Sequence, residues 1–252
     1  MRSLLIEELT WPEVEEALAK GMKTIIIYAG SIEQHGRHLA ENADAVAGYA
    51  QAADLAKRLG NALVAPVIRP GLSAHHLAFP GSLTLRPEVF KGVVEDYISS
   101  YIHHGFDKIV LSSSHGGNFD ALEEVANASK IKYPNVRFAT GYSMKDLANL
   151  INEAEKEEQL KTGTCGGHGC DYETSTMLLH SPQYVFMVKA EAGYIDTLTM
   201  ELIEKMRREG IKGITPNGVL GDPAGSNIER GKRYFDKIQQ FQEDRVRKEL
   251  GI

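Results

Sequence analysis

The stretch KTIIIYAG, from Lys23 to Gly30, decides the fold of this chain, and the residues SIEQHGRH follow it directly. Its apolar residues form an unbroken run, without the alternation of polar and apolar residues that marks a half-exposed strand. Strands that are apolar on both faces are typical of parallel sheets covered by helices on both sides. The stretch therefore predicts a buried strand of an α/β protein, with polar residues gathered where the strand ends.

Further strands and helices alternate along the chain. Additional strands are predicted at 62–68, 108–112 and 136–142, and helices at 45–59, 86–104, 119–130, 171–179, 198–208 and 227–250. The charged run EAEKEEQLK, residues 153–161, predicts a solvated helix face or a loop. Strand–helix alternation predicts one α/β domain over residues 1–252 with a mostly parallel sheet. In such folds functional groups gather at the carboxyl ends of the strands.

Composition excludes several classes of protein. The 252 residues include 28 Lys+Arg and 34 Asp+Glu, for a net charge of −6, and this mild acidity argues against general binding to nucleic acid. No apolar run reaches the roughly 18 residues of a membrane span, and the N-terminus lacks the apolar core of a signal peptide. The cysteines, Cys165 and Cys170, do not make a disulfide framework. We therefore expect a cytoplasmic protein that binds neither nucleic acid nor membrane.

Potential metal ligands follow two of the predicted strands. Glu33 and His35 follow the first strand, Asp44 comes nine residues after His35, and His115 follows the strand at 108–112 in the sequence SSSHGGN. Carboxylates and imidazoles are ligands of Zn²⁺, Mn²⁺ and Fe²⁺. One aspartate can bridge two ions about 3.5–4 Å apart. Either motif by itself could instead be surface polarity or a capped turn, with Asn118 as a helix N-cap.

Two more clusters carry candidate residues. The sequence CGGHGCDYETS, 165–175, places His168 in a glycine-rich loop and Asp171 and Glu173 at a predicted helix start. The functional interpretation makes His168 an acid or base and puts Glu173 at the metal centre. The alternative is a helix start whose carboxylates complement the helix dipole. A zinc knuckle is disfavoured because it needs four ligands and no third cysteine exists.

The sequence SAHHLAFPGS, 73–82, adds two adjacent histidines that could contact a substrate. Because neighbouring side chains point in different directions, we expect at most one of them to face the site. The predicted substrate contacts are Ser73, His76, Gly116, Asn118 and Asp171.

The stretches GSIEQHGRHLAENAD, HHLAFPGSL, SSSHGGN and HGCDYETS together resemble, in that order, the motifs of the creatininase (creatinine amidohydrolase) family. The segment GVLGDPAGSNIERG, 218–231, is similar to the family's C-terminal segment. The resemblance implies a layered α/β/α domain with two divalent metal ions per subunit, Zn, Mn or Fe. It also implies a homo-oligomer, possibly a hexamer.

The resemblance assigns roles to the candidate residues. Glu33, His35, Asp44 and His115 fall on the family's ligand positions, with Asp44 bridging the two metals. By the same resemblance, the catalytic positions are His168, on a catalytic histidine, and Glu173, on an acidic active-site position.

The chain departs from true creatininases at positions that affect the substrate. After the ligand histidine those proteins carry tyrosine and glutamate, and the glutamate is itself a ligand, whereas this chain has Gly116 and Gly117. They also place tryptophans over the substrate ring, but here Thr164 occupies one such position and the single tryptophan is Trp11. Creatinine is therefore not the expected substrate. Glu173, Asp171 or water is expected to replace the missing glutamate.

The His-Gly-Gly-Asn form is similar to a branch that includes formamidopyrimidine deformylases, a peptide-trimming protein of mycofactocin maturation and a hydrolase of a cyclic diketone from inositol breakdown. The resemblance therefore implies a metal-dependent hydrolase of a small cyclic amide, a formamide or a related carbonyl compound. Two alternatives stay open. One is carbon–carbon hydrolysis of a cyclic diketone from inositol or sugar breakdown, as in a 3-dehydro-scyllo-inosose hydrolase, and the other is a non-catalytic metal-binding scaffold.

Overall fold

A computed structural model describes residues 2–197 and 199–252. Its four-stranded parallel sheet has the order β2-β1-β3-β4, with β1 at Thr24–Ala29, β2 at Ala62–Val64, β3 at Lys108–Ser113 and β4 at Arg137–Thr140. In the described ranges the α-helices are α1 (Trp11–Ala19), α2 (Ala43–Leu59), α3 (Pro87–His103), α4 (Phe119–Lys132), α5 (Met144–Glu157), α6 (Asp171–His180), α7 (Met200–Glu209) and α8 (Ile228–Leu250). None of these helices combines the length and apolarity that a membrane span needs.

The two faces of β1 build two separate hydrophobic cores. Alternate residues of a strand point to opposite faces of the sheet. Ile25 and Ile27 pack in a cluster with residues of α1, α3 and α4, whereas Ile26 and Tyr28 pack in a cluster with residues of α2 and α8. The sheet is therefore a middle layer between two layers of helices, and the predicted layered α/β fold is confirmed.

The carboxyl ends of β1 and β3 lie side by side. These strands pair in parallel from Thr24 opposite Lys108 to Ala29 opposite Ser113. The chain leaves β1 toward β2 on one side and returns to β3 on the other, which opens a crevice at the top of the sheet. The loops after β1 and β3 therefore meet there, and these loops carry three of the predicted metal ligands, Glu33, His35 and His115.

Several predicted boundaries differ from the observed ones. The strand predicted at 62–68 ends at Val64, and beyond it Ile68 pairs with Ala29 only as an isolated bridge. Helix α2 begins at Ala43, two residues earlier than predicted. Helices α1 and α5 were not predicted, and the charged run at 153–161 covers the end of α5. The helix predicted at 198–208 begins at Met200 in the described part of the chain, and residue 198 lies outside that part.

Candidate metal centre

The segment after β1 brings a glutamate, a histidine and an aspartate together. Glu33 and His35 lie in the loop that follows the strand, and Asp44 lies in the first turn of α2. Gly30 makes this possible, because a Cβ atom there would lie only 2.9 Å from the Cα of Ala45. The helix therefore starts directly against the strand end and presents Asp44 to the loop.

His115 enters the same crevice from the end of β3. The turn Gly116–Asn118 follows it and leads into α4. Asn118 occupies the N-cap position of α4, but its side chain does not cap the helix. Its Nδ2 donates to the Gly30 carbonyl oxygen at 2.9 Å, and its Oδ1 accepts from the Leu72 N–H at 2.9 Å.

The side chain of Asn118 therefore links the loops that follow β1, β2 and β3 by hydrogen bonds. It is fully buried and does not line the cavity, which corrects the prediction that it contacts substrate.

The carboxylate of Asp44 divides the site into two halves. Its Oδ1 lies 3.4 Å from His35 Nε2, which in turn lies 3.8 Å from Glu173 Oε2. Its Oδ2 lies 3.4 Å from His115 Nδ1, which lies 3.2 Å from Glu33 Oε1. Each oxygen of one carboxylate thus faces its own pair of ligand atoms, an arrangement suited to bridging two cations.

The site also shows the polar atoms that a cation would satisfy. Among the described residues, both carboxylate oxygens of Glu33 and the Oδ2 of Asp44 are buried without a well-aligned hydrogen-bond donor. Leaving buried charged oxygens unsatisfied is costly. The carboxylates and imidazoles of this cluster therefore fit divalent metal ions, and they include the compact set Glu33, His35 and Asp44.

Backbone carbonyls hold both ligand histidines in orientation. His35 Nδ1 lies 3.1 Å from the carbonyl oxygen of Glu33, and His115 Nε2 lies 3.2 Å from that of Leu72. Each carbonyl accepts a hydrogen bond from the N–H of one ring nitrogen, so that the other nitrogen faces the site as an electron-pair donor.

Opposite charges dominate the electrostatics of this cluster. Burial favours a raised pKa for Glu33, but the neighbouring His115 and His76 outweigh it and hold that pKa well below its usual range. Burial disfavours the charged form of His35, but Asp44 and Glu173 raise its pKa to about 10. Without metal, the imidazolium groups therefore neutralise the carboxylates, and metal ions would replace their protons.

Beside the candidate ligands lie a neutral imidazole, His168, and a carboxyl group whose pKa is near neutrality, Glu173. Burial, followed by the charge of His35, lowers the pKa of His168 to about 3, so its ring is neutral near pH 7. Its Nε2 lies 2.6 Å from the Gln34 carbonyl oxygen, and its Nδ1 lies 3.9 Å from Glu33 Oε1. Burial raises the pKa of Glu173 to about 7, opposed by His35 and reinforced by Asp44.

The histidines after β2 both line the cavity, so the expectation that at most one would do so was wrong. His75 and His76 belong to a tight turn, Ala74–His76, rather than an extended segment, and their rings lie 4.3 Å apart. His76 Nε2 lies 3.1 Å from Glu33 Oε1, and its Nδ1 lies 3.1 Å from the amide nitrogen of Gln34. The sequence analysis did not predict Gln34 as a site residue. The only sequence signal for it was its position between the two candidate ligands Glu33 and His35.

Two other predicted substrate contacts lie behind the site. Ser73 is fully buried, and its hydroxyl lies 3.4 Å from His115 Nε2, on the side away from the ligand nitrogen. Asp171 is also fully buried and accepts hydrogen bonds from Arg230 Nη1 at 2.6 Å and Tyr234 OH at 2.8 Å. Its carboxylate is therefore committed to α8, which corrects the prediction that it contacts substrate or metal.

The cavity in front of the ligands is lined by Gly116 and Gly117 on one side and by α7 on the other. Helix α7 contributes Ile203, Met206 and Arg207. Gly116 lines the cavity, and its contact with substrate stays a prediction.

Comparisons with known proteins agree with this geometry. The family model for creatininase, described as creatinine amidohydrolase, matches residues 7–242. A protein of Mycobacterium ulcerans (strain Agy99) named mycofactocin precursor peptide peptidase is 30% identical over 91% of this chain and 82% of its own length. The creatinine amidohydrolase of Pseudomonas putida is 28% identical over 73% of this chain and 74% of its own. The crystal structure of a creatininase superposes over the whole of both chains with a TM-score of 0.81 at 23% identity.

Proposed function

The chain belongs to the creatininase family of metal-dependent hydrolases, and from that premise we propose that it hydrolyses the carbon–nitrogen bond of a small cyclic amide or a formamide. One observation carries this proposal. Both carboxylate oxygens of Glu33 and the Oδ2 of Asp44 are buried without a well-aligned hydrogen-bond donor, and they border a cavity that a neutral histidine, His168, also lines. Such a cluster is suited to holding cations and moving a proton beside them.

The residues present would hold two divalent ions, with Asp44 between them. Glu33 and His115 would bind one ion, and His35 with Glu173 the other. When bound, such ions lower the pKa of water from about 15.7 toward 7 and polarise a substrate carbonyl. In this arrangement Glu173 takes the place of the glutamate that true creatininases carry where this chain has Gly117.

The protein's own groups would handle the protons. The Gln34 carbonyl oxygen accepts a hydrogen bond from the Nε2–H of His168. The Nδ1 atom of that ring is then the unprotonated nitrogen that faces the site and can accept a proton. A group that accepts the proton of the attacking water can return it to the leaving nitrogen. Glu173, with its pKa near 7, is the second candidate for this transfer if it does not bind metal.

Apolar side chains form part of the cavity lining. Ile203, Met206 and Ile211 contribute to it. When a substrate displaces water from such a lining, electrostatic interactions inside the cavity become stronger.

A peptide is the second candidate substrate, and the comparison with known proteins favours it. The relative at 30% identity is named for a peptidase that acts on a precursor peptide. The same donor set and the same proton transfers would serve a peptide bond and a small amide equally.

The direct test is a hydrolysis screen of the metal-loaded protein with a chelator-treated control. The panel contains formamidopyrimidines, other cyclic amides, creatinine, short peptides and cyclic 1,3-diketones. We expect chelator-sensitive release of an amine from an amide or a peptide and, with His168→Ala, a loss of at least 100-fold in rate. Turnover of the diketones alone would move the protein to carbon–carbon hydrolysis. Tight metal binding with no turnover of the whole panel would favour a non-catalytic scaffold.

Other expectations stay predictions. We propose a homo-oligomer located in the cytoplasm, with a small molecule as partner. Light scattering and elemental analysis of the purified protein would test the subunit count and the identity of the metals.

A further inference from the structure

A second depression, which we call the outer groove, lies next to the catalytic cavity. The cavity has a volume of about 60 Å³, and the outer groove about 340 Å³. His75, Gly117 and Arg207 line both, so the two spaces are neighbours that share these residues as a common border. The remainder of the outer groove is formed by α3, α4 and the loop after β2, and includes Leu72, Pro87, Lys91, Ala121 and Glu124.

The catalytic cavity is too small for a large substrate. On the same measure one water molecule needs about 10–15 Å³, so 60 Å³ holds roughly four to six waters. That space suits a carbonyl group, the attacking water and the leaving nitrogen. The remaining atoms of a longer substrate must lie beyond the junction, and the outer groove is the adjoining space.

The chemistry of the outer groove suits an uncharged chain with both polar and apolar groups. Its apolar lining includes Leu72, Pro87 and Ala121. Its cations are paired, with Lys91 Nζ 2.6 Å from Glu124 Oε2 and Arg207 Nη1 2.9 Å from Asp120 Oδ2. Charges therefore balance along the groove, which does not favour a strongly anionic ligand.

Arg207 stands at the junction between the two spaces. Its guanidinium carries five N–H donors in a planar fork, and the ion pair with Asp120 uses Nη1. Other donors of the same fork can bind a carbonyl oxygen of a chain that passes from the cavity into the groove.

We propose that the outer groove binds the chain of a linear amide substrate, a peptide segment of several residues whose scissile carbonyl lies in the catalytic cavity. This proposal rests on the proposed amide hydrolysis. It concerns the second candidate substrate, a peptide, because only a substrate longer than a small ring would occupy both the cavity and the groove.

The test fills the groove chemically without touching the metal ligands. Glu124 is exposed on α4 and is changed to cysteine, and the matched control is the same change at Glu95, an exposed residue of α3 that does not line the groove. Each variant is compared before and after alkylation with a bulky maleimide, so that each is its own folding control. Cys165 and Cys170 are buried and their thiol pKa values are raised, which protects them from the reagent.

Two measurements follow each alkylation. The first is binding of a degenerate pool of acetylated pentapeptide amides, and the second is turnover of the small cyclic amides. We expect alkylation at position 124 to weaken pentapeptide binding at least tenfold and to leave small-amide turnover within twofold. Alkylation at position 95 should change neither.

The outcomes separate this inference from the proposed function. Equal pentapeptide binding after alkylation at positions 124 and 95, or no binding to the unalkylated variants, overturns the outer groove as a substrate site. In that case turnover of small amides would still support amide hydrolysis. Conversely, groove-dependent peptide binding without cleavage of any amide would support the groove and reject the hydrolytic proposal.

Discussion

Replacing Gly117 with alanine should weaken metal binding in the half of the site that contains His115. A Cβ atom at Gly117 would lie 2.5 Å from His115 Nε2 and closer still to the Leu72 carbonyl oxygen. Real Cβ contacts stay above 3.0 Å, so the imidazole must move by about 0.5 Å, the difference of these two distances, and the Leu72 backbone must move further.

The substitution displaces the contact that orients the imidazole of His115. His115 Nε2 lies 3.2 Å from the Leu72 carbonyl oxygen, and this partner directs Nδ1 toward Glu33 and Asp44. Loss of such a partner typically reduces metal affinity roughly 10–100-fold. That factor corresponds to about 1.4–2.7 kcal/mol. We expect the ion bound by Glu33 and His115 to show this loss, and the ion bound by His35 to be affected less.

Gly116→Ala is the matched control. A Cβ atom there would meet Met144 Sδ at 3.2 Å, in a flexible side chain that can yield. Competition with a chromophoric chelator measures the affinity of each ion, and thermal unfolding confirms that both variants fold. If Gly117→Ala folds and binds both ions as tightly as Gly116→Ala, the orientation argument is refuted.

Three further predictions concern single residues. The variant Glu173→Gln should lose one of its two ions on dialysis, and its kcat should be at least 100-fold lower. Elemental analysis and steady-state kinetics measure these two effects. Retention of both ions would exclude Glu173 as a ligand. Asp171→Asn should lower the free energy of unfolding by roughly 3 kcal/mol, since it breaks a pair with the partly exposed Arg230, while the folded fraction keeps its kcat. Urea titrations measure the stability and activity assays measure kcat. Unchanged stability with a lower kcat would contradict this role of Asp171. Burial and the charge of His35 lower the pKa of His38 to about 4, below about 6.5 in the unfolded chain, so the unfolded state binds the extra proton. The free energy of unfolding should therefore fall as the pH drops from 6.5 to 4, with His38 contributing up to about 3 kcal/mol. Urea titrations should show a smaller fall in His38→Gln than in the unchanged protein. Equal falls in the two proteins would contradict this role of His38.

Much of the fold was readable from the chain because its signals are local. The apolar run at 23–30 marks a strand buried on both faces, and the alternation of strands and helices leads to parallel pairing. The missed elements have weaker signals. Helix α1 has a single buried residue, Ala17, and α5 ends inside a charged run that equally suits a loop. Strand β2 ends at Val64 although the apolar run continues to Ile68, so the apolar pattern did not mark the end of the strand.

The candidate ligands could be named from sequence because few residue types bind divalent metals and these followed strand ends. The place where these ligands meet could not be predicted from sequence. It depends on β1 and β3 being neighbours, and no local pattern encodes such a long-range pairing. Roles within a motif were equally undetermined. Asp171 and Glu173 are two residues apart at the start of α6, which on a helix separates them by about 200°.

One carboxylate of that pair must therefore face away from the other. The packing of α6 against α8 decided which, because Arg230 and Tyr234 bind Asp171 from behind and so turn Glu173 toward His35. The sequence by itself thus determined the fold class and the chemistry of the site. Only the tertiary structure decided which carboxylate faces the candidate metal centre, since the rotation of a helix about its axis is set by what packs against it.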